Sequence, residues 1–351
     1  MGIFKDMLGA EESLFVNPMA LDFDYLPKEL PHRENQQHYL ATCIKPLFHG
    51  MNGKNILITG VPGIGKTAAV RWVLRDLEQE GLDSQVQPIF INCWKKDTAH
   101  KILLEVCNQI GYKFVINKTT DELMRAVADI LNKKAAVIVL DEVDKIDSQQ
   151  IIYQFLEDIY RKCIFLITND KEWLSELDNR VRSRLLPEEV RFEQYNYNET
   201  LDILRQRVRY AFVPDVWNED ALERVAEKTA EVGDIRVGIF LLKEAGNVAE
   251  MKSSRKITLE HAEAAIEKLA DFKPVNSKDL GEEEKEILEI VKNNSGKSVK
   301  ELYEVYRDKY GKSYRTFHRK IKILEESGLI DVKEQAMEKG GKELILLFKT
   351  V

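Results

Sequence analysis

The run Asn55-Ile56-Leu57-Ile58-Thr59 leading into Gly60-Val61-Pro62-Gly63-Ile64-Gly65-Lys66-Thr67 constrains this chain more than any other stretch. Gly60–Thr67 satisfies the spacing G-x-x-x-x-G-K-[ST], an apolar strand run precedes it, and Val70, Val73, Leu74 and Leu77 then recur on one helical face over 67–80. Strand, glycine loop and helix in that order make a phosphate cradle. Glycines let the backbone curl until its N–H groups converge on phosphate oxygens, and the helix N-terminus adds a favourable dipole. In such a cradle Lys66 reaches the β- and γ-phosphates of ATP, and the Thr67 hydroxyl ligates Mg²⁺.

A cradle of this kind needs acidic partners at the same sheet edge. Val137-Ile138-Val139-Leu140-Asp141-Glu142 is an apolar strand ending in two carboxylates, so both emerge where open α/β sheets bind ligands. Asp141 is placed to hold Mg²⁺, and Glu142 to orient or deprotonate an attacking water. Asp144 and Asp147 read as solvated loop or cap carboxylates. One strand later, Cys163-Ile164-Phe165-Leu166-Ile167-Thr168 ends in Asn169, either a positioner of water near the γ-phosphate or a turn former.

Five such runs (55–60, 88–93, 136–141, 163–168 and 188–193) alternate with helical patterns, which predicts a mostly parallel sheet buried on both faces and an α/β fold. Residues 1–30, interrupted by Pro18 and Pro27, read as an extended N-terminal arm, and 31–195 as a nucleotide-binding domain. From 196 to 271 the strand signal stops and amphipathic helices take over. The last of them, Thr258–Leu269, has Thr258 as N-cap and His261 where a capping box prefers Glu. Residues 272–281 hold a Pro, a Gly and no periodicity, and read as a linker. The segment 282–351 shows three helical patterns and then two short strands around Gly340-Gly341.

The longest purely apolar stretch is Ala135–Leu140, far below the ~18 residues that span a bilayer, so no membrane segment is expected. The N-terminus lacks the layout of a secretory signal, and Asp6 stands where a myristoylation motif wants Ser or Thr. Cys43, Cys93, Cys107 and Cys163 include no C-x-x-C pair, which argues against zinc and a disulfide framework and fits a reducing cytoplasm. The net charge of −7 opposes general coating of nucleic acid, yet 282–351 carries 15 Lys+Arg against 14 Asp+Glu. Within it, Lys309, Lys312, Arg315, Arg319, Lys320 and Lys322 are unbroken by any carboxylate. That is a targeted basic face in an acidic protein.

Three helices followed by a ribbon match a winged helix, whose third helix enters the major groove of DNA. Phe317, Ile321 and Leu324 have core spacing, which turns Arg315, His318, Arg319 and Lys322 outward, while Lys339 and Lys342 flank the wing tip. The alternative for this helix alone is a solvated basic face.

Phosphate loop, Asp-Glu strand, Asn-ended strand and a helical region containing Gly233-Asp234-Ile235-Arg236 resemble the AAA+ ATPases. With Pro31-His32-Arg33-Glu34, Asn92-Cys93, Arg180–Leu185 and the basic C-terminal helix, the chain is similar to the archaeal origin-recognition initiators, relatives of the eukaryotic origin recognition complex and its helicase-loading factor. The resemblance covers about 30–350. It implies that 196–271 is a lid over the nucleotide, that Arg236 senses the γ-phosphate, and that Arg33 lines the adenine pocket with Val61 beneath. It also implies a DNA-touching helical insertion near Trp94-Lys95-Lys96 through Tyr112, whose basic end equally suits plain surface. Val181-Arg182-Ser183-Arg184 departs from the initiator pattern toward the Ser-Arg of clamp loaders. This makes Arg184 the candidate arginine finger, with Arg180 and Arg182 as alternatives.

The implied function is an ATP-dependent replication initiator in the cytoplasm, associated with the nucleoid. Its weak Mg-dependent ATPase would act as an ATP/ADP switch, and its partners would be double-stranded origin DNA, the replicative helicase, and copies of itself or paralogues on DNA. Two rivals stand beside it: a nucleotide-gated transcriptional regulator, and a clamp-loader-like ATPase that the winged helix opposes.

Overall fold

A computed structural model describes residues 13–170, 172–271, 282–294, 296–310, 314–326, 330–336 and 342–348. The chain divides into two compact units, Met1–Glu267 and Lys268–Val351. The linker expected at 272–281 lies outside the described residues.

The first unit is built on five parallel strands: β1 Ile56–Thr59, β2 Val86–Asn92, β3 Ala135–Asp141, β4 Lys162–Thr168 and β5 Glu188–Arg191, in the order β2-β3-β4-β1-β5. Every residue of β3 is buried, because helices cover both sheet faces. Ile138 and Leu140 pack with α3 Ala99–Gln109, α4 Thr120–Leu131 and α5 Gln150–Asp158 on one side. Val137 and Val139 pack with α1 Glu34–Ile44 and α2 Lys66–Gln79 on the other. Period-two alternation thus serves two cores at once. Two short helices, α6 Trp173–Glu176 and α7 Asn179–Leu185, lead into β5.

The strand order decides where the chemistry falls. β4 is inserted between β1 and β3, with Thr168 in register with Thr59 and Ile167 with Asp141. The ends of three strands, at Gly60, Asp141-Glu142 and Asn169, therefore meet at one sheet edge.

Four helices follow: α8 Tyr197–Ala211, α9 Glu219–Val232, α10 Ile235–Met251 and α11 Leu259–Asp271. Three of their starts are fixed by side-chain caps. Asn196 and Glu199 form a reciprocal capping box on α8, and Asp234 caps α10 by accepting from the Arg236 amide. At α11 the backbone N–H of Thr258 donates to Nδ1 of His261 at 3.1 Å, so the imidazole takes the place of the usual glutamate. Burial, with Lys252 adding to it, holds the His261 pKa below its ordinary 6.5 and keeps the ring neutral as an acceptor. Folding thus favours the unprotonated ring, and the cap's contribution is present above pH 6.5 and lost as pH falls through the lower folded value. A cap is worth ~1 kcal/mol, so the melting midpoint should drop by about 2 °C more on acidification in the natural chain than in His261→Gln, followed by calorimetry from pH 7 to 5.

Residues 13–30 run without helix or strand apart from a 3₁₀ turn at Pro18–Leu21, and they are bound down. Phe15 bridges Phe212, buried Arg207 donates to the carbonyls of Ala20 and Tyr25, and Arg75 of α2 donates to those of Leu26 and Pro27. Beyond its own turn bonds at Asn17, Met19 and Asp22, the segment's carbonyls are met by these two arginines and by Trp72, whose Nε1 donates to Lys28. The result is a strap from the helical region to the helix behind the phosphate loop.

In the second unit, α12 Glu282–Asn293, α13 Val299–Tyr310 and α14 Tyr314–Glu326 precede an antiparallel ribbon of β6 Ile330–Ala336 and β7 Lys342–Phe348. An isolated antiparallel bridge joins Ser298, ahead of α13, to Ile345 of β7. Phe317, Ile321 and Leu324 are buried with Ile287, Leu302, Tyr306 and Leu346. The inner face of α14 is the one its i, i+4, i+7 spacing specifies.

Candidate functional site

The loop between β1 and α2 is held from both sides. Gly63 has φ +72°, and an added Cβ there would lie 1.8 Å from Oδ1 of Asp234, while one at Gly65, φ +87°, would lie 2.7 Å from the Tyr195 hydroxyl. Both positions need glycine for conformation and for space. Ile64 points into the core, and Val61 and Pro62 are exposed.

Lys66 is buried, and its Nζ donates to the carbonyls of Gly60 and Val61 and to Oδ1 of Asn169, each at 2.7 Å. Among the described residues no carboxylate lies within ion-pair distance of it. Burial lowers its pKa to about 8, with Asp141 opposing the shift. A buried cation satisfied only by neutral oxygens is a place prepared for an anion.

Opposite it, the Thr67 hydroxyl donates to both oxygens of Asp141 at 3.0 and 3.2 Å. Burial raises the Asp141 pKa to about 6, against the lowering effect of the Thr67 bond. Among the described residues no three His, Cys, Asp or Glu side chains are grouped to hold a metal ion. Thr67 and Asp141 together still fit Mg²⁺, which takes one or two protein oxygens and draws the rest of its shell from phosphates and water. Glu142 sits at φ 55°, a left-handed conformation uncommon outside glycine. Among the described residues its carboxylate has no hydrogen-bond or ion-pair partner.

Asn169 was equally readable as a turn former, and its bond to Lys66 puts it at the mouth of the loop. Asp144, expected to be solvated, instead accepts from the Thr168 hydroxyl at 2.8 Å and pairs with Lys145. It braces the strand end that carries Asn169. Neighbouring Cys93 is buried and its thiol is pushed up to about 12, chiefly by burial, so it is chemically quiet.

The helical region reaches the loop through α10. The Ile235 amide donates to the Gly63 carbonyl at 3.1 Å, and Asp234 grips the Arg236 guanidinium through Nε and Nη2 at 2.5–3.1 Å. Arg236 therefore stands beside the loop with its charge already engaged. Asp234, within the quoted Gly-Asp-Ile-Arg run but given no role from sequence, is the residue that holds it.

Arg33, expected around the adenine, lies behind the loop with its N–H groups on the carbonyls of Ile64, Glu193 and His32. Gln37, one turn along α1, is buried with an unpartnered Nε2, an unspent donor on the same helix. Arg184 is not brought to this site. It pairs with Glu157 and lies over the Tyr153 ring at 5.3 Å, while its neighbour Leu185 accepts from Asn55 at the opposite end of β1. Arg180 pairs with Asp178, and Arg182 donates to Asn179.

His318, Arg319 and Lys322 are exposed on α14, and among the described residues Arg319 and Lys322 have no ion-pair partner. Lys339 lies outside the described residues, as do the side chains of Arg315 and Lys342. In the 94–112 element, Trp94 is exposed beneath Lys145, but Lys101 is paired with Asp97 and Lys96 with Glu105, which leaves little unneutralised charge.

Residues 50–171 match the AAA domain family, and 201–267 match the Cdc6 AAA+ ATPase-type lid domain. The ORC1-type DNA replication protein 2 of Methanosarcina mazei is 31% identical over 363 residues, covering 98% of this chain and 96% of that protein. The solved structure of the Aeropyrum pernix ORC1 protein in complex with DNA aligns with a TM-score of 0.78 at 26% identity, over 97% of this chain and 94% of that one. The Aeropyrum pernix ORC2 protein, in its ADPNP-ADP complexes, gives a TM-score of 0.68 at 21% identity over 96% and 94%. The sheet is thus an AAA+ sheet, and the four helices after it are its lid.

Proposed function

The chain belongs to the family of ORC1-type DNA replication proteins, and we infer that it is an ATP-dependent initiator that binds double-stranded origin DNA and helps recruit or load the replicative helicase. The observation that carries this reading is the convergence at one sheet edge of Lys66, the Thr67–Asp141 pair, Glu142 and Asn169, with the lid helix α10 docked on the loop through Gly63.

In the proposed cycle Lys66 leaves the carbonyls of Gly60 and Val61 for the β- and γ-phosphates of ATP, and keeps Asn169 beside them. Mg²⁺, held by Thr67 and Asp141, would neutralise charge on the phosphates. Glu142 takes the proton of a water that attacks the γ-phosphorus, and ADP and phosphate are the products. Arg236 exchanges its Asp234 partner for the γ-phosphate, so that ATP and ADP set different lid positions. Arg184, remote from its own loop, can serve only a neighbouring copy's nucleotide, in an assembly of copies or paralogues on DNA. The second unit is read as the winged helix, with α14 against the major groove.

Arg236→Ala should bind ADP normally and lose preference for ATP by about tenfold or more, the worth of one charge-assisted hydrogen bond. The ratio of the two dissociation constants decides it, and an unchanged ratio makes Arg236 a partner of Asp234 alone. Mapping chromosomal occupancy in the native host tests the whole reading. Sites at replication starts are expected, and occupancy confined to promoters would replace it with a transcriptional regulator.

A further inference from the structure

We propose that Arg33 is a positioning residue of the phosphate loop, acting through the carbonyl of Ile64 and answered electrostatically by the nucleotide's phosphates, and that it does not read the adenine base. The proposal rests on the nucleotide-binding reading above and deepens it.

Arg33 is 4% exposed. Its Nε and Nη2 both donate to the Ile64 carbonyl, at 3.2 and 3.0 Å; Nη2 also donates to Glu193 at 2.7 Å, and Nη1 to His32 at 3.2 Å. Four of five N–H donors are engaged, which leaves one for any base edge. One face of the guanidinium is covered as well, with the Tyr195 ring centroid 3.9 Å from its central carbon and Phe192 at 5.2 Å. A residue so fully committed has little left with which to recognise adenine.

Every one of its acceptors is neutral, the three carbonyls and the Tyr195 hydroxyl alike. Among the described residues no carboxylate lies within ion-pair distance of Arg33, so the charge is buried without a counter-charge. The same holds for Lys66, two residues beyond Ile64. Two buried cations with no direct ion pair among the described residues therefore flank one loop, whose N–H groups and helix N-terminus also favour an anion.

The covalent geometry links the two. A trans peptide sends its carbonyl and the following N–H in opposite directions. By drawing the Ile64 carbonyl toward itself, Arg33 turns the Gly65 N–H away, toward the side where loop amides meet phosphate. Glu193, the other anchor, lies on the connection from β5 to the lid helix α8. The same guanidinium thus fixes the loop against the root of the lid.

The test uses the full chain with Arg33→Met, which keeps length and removes charge, and Arg33→Lys, which keeps charge and loses the fork. Equilibrium affinities for ADP and GDP are measured at several salt concentrations, with the rise in melting temperature that ADP causes. Arg33→Met should lose about 10- to 100-fold in ADP affinity, lose the same factor for GDP, and show a smaller ADP-induced rise, with its melting point without nucleotide little changed. Arg33→Lys should recover part of the loss. If ADP affinity falls while the ADP-to-GDP ratio collapses, Arg33 reads the base and the proposal is wrong. If ADP affinity is unchanged in Arg33→Met, Arg33 is packing only. Should Arg33→Met fail to fold, the Lys variant decides, because its ADP-to-GDP ratio must stay at the natural value. Absence of ADP binding by the natural chain would instead sink the nucleotide reading itself.

Discussion

Lys66→Ala should lower affinity for both ATP and ADP by about 100-fold or more while leaving the melting point of the nucleotide-free protein unchanged or raised. The direction follows from what Lys66 does before any ligand arrives. Its ammonium is buried, bonded to two loop carbonyls and Asn169, and among the described residues has no carboxylate within ion-pair distance. Removing a charge that burial disfavours costs the free protein little, whereas the phosphates lose their main counter-charge. A pH dependence of known sign goes with it. Burial brings the Lys66 pKa down to about 8, so nucleotide affinity should hold below that value and decline as pH rises through it, and binding above pH 8 should take up a proton. Glu142→Gln should behave oppositely to Lys66→Ala, keeping ATP and stalling turnover, since its carboxylate is free and touches neither loop nor Lys66. Calorimetric titration of both variants with ATP, beside steady-state phosphate release, separates them. Normal affinity in the Lys66 variant would remove the phosphate loop from the mechanism.

The reading of Lys66 was available from sequence because the motif is local: strand, loop and helix adjoin in the chain, and the chemistry lies within eight residues. The strands were legible for a related reason. Fully buried parallel strands such as Ala135–Asp141 read as unbroken apolar runs, a pattern no neighbouring residue can disguise. Strand order was not legible, because pairing depends on partners far apart in the chain. That is why Asn169 reads two ways from sequence, whereas its bond to Lys66 depends on β4 lying between β1 and β3. Asp144 was misread as solvated because its partner, Thr168, lies on that same inserted strand. By resemblance Arg33 lines the adenine pocket; its contacts with the backbone carbonyls of Ile64, His32 and Glu193 are not legible in sequence, because carbonyls carry no residue signature. His261 in the capping position was noticed, yet its role needed the ring's tautomer, which burial and not spacing determines. The strap at 13–30 was hidden most deeply. Its order comes from Arg75 and Arg207, whose side chains gave no hint that they were reserved for someone else's carbonyls.

Deleting 282–351 should remove most affinity for duplex DNA, and point variants should divide that affinity into two kinds. On α14 the inward positions Phe317, Ile321 and Leu324 are occupied by the core, so the exposed His318, Arg319 and Lys322 are what the helix has left to offer a partner. Among the described residues Arg319 and Lys322 have no ion pair, unlike Lys96 and Lys101 of the earlier insertion, which are paired with Glu105 and Asp97. A bidentate Arg–guanine contact discriminates by ~1–3 kcal/mol, so Arg319→Ala, and Arg315→Ala on the turn before it, should lose affinity for a specific site and most of the preference over a scrambled one. Lys339→Ala and Lys342→Ala, proposed for the wing, should weaken all sequences alike and reduce the slope of log affinity against log salt by about one each. Fluorescence titration of specific and scrambled duplexes at several salt concentrations reads both effects. Two of the three lysines in the 94–112 element, Lys96 and Lys101, are ion-paired, which predicts that only a minor share of DNA affinity survives the deletion. If the Arg315 and Arg319 variants keep full affinity and full sequence preference, α14 is a solvated basic face, and recognition of DNA by this protein must be sought on the first unit.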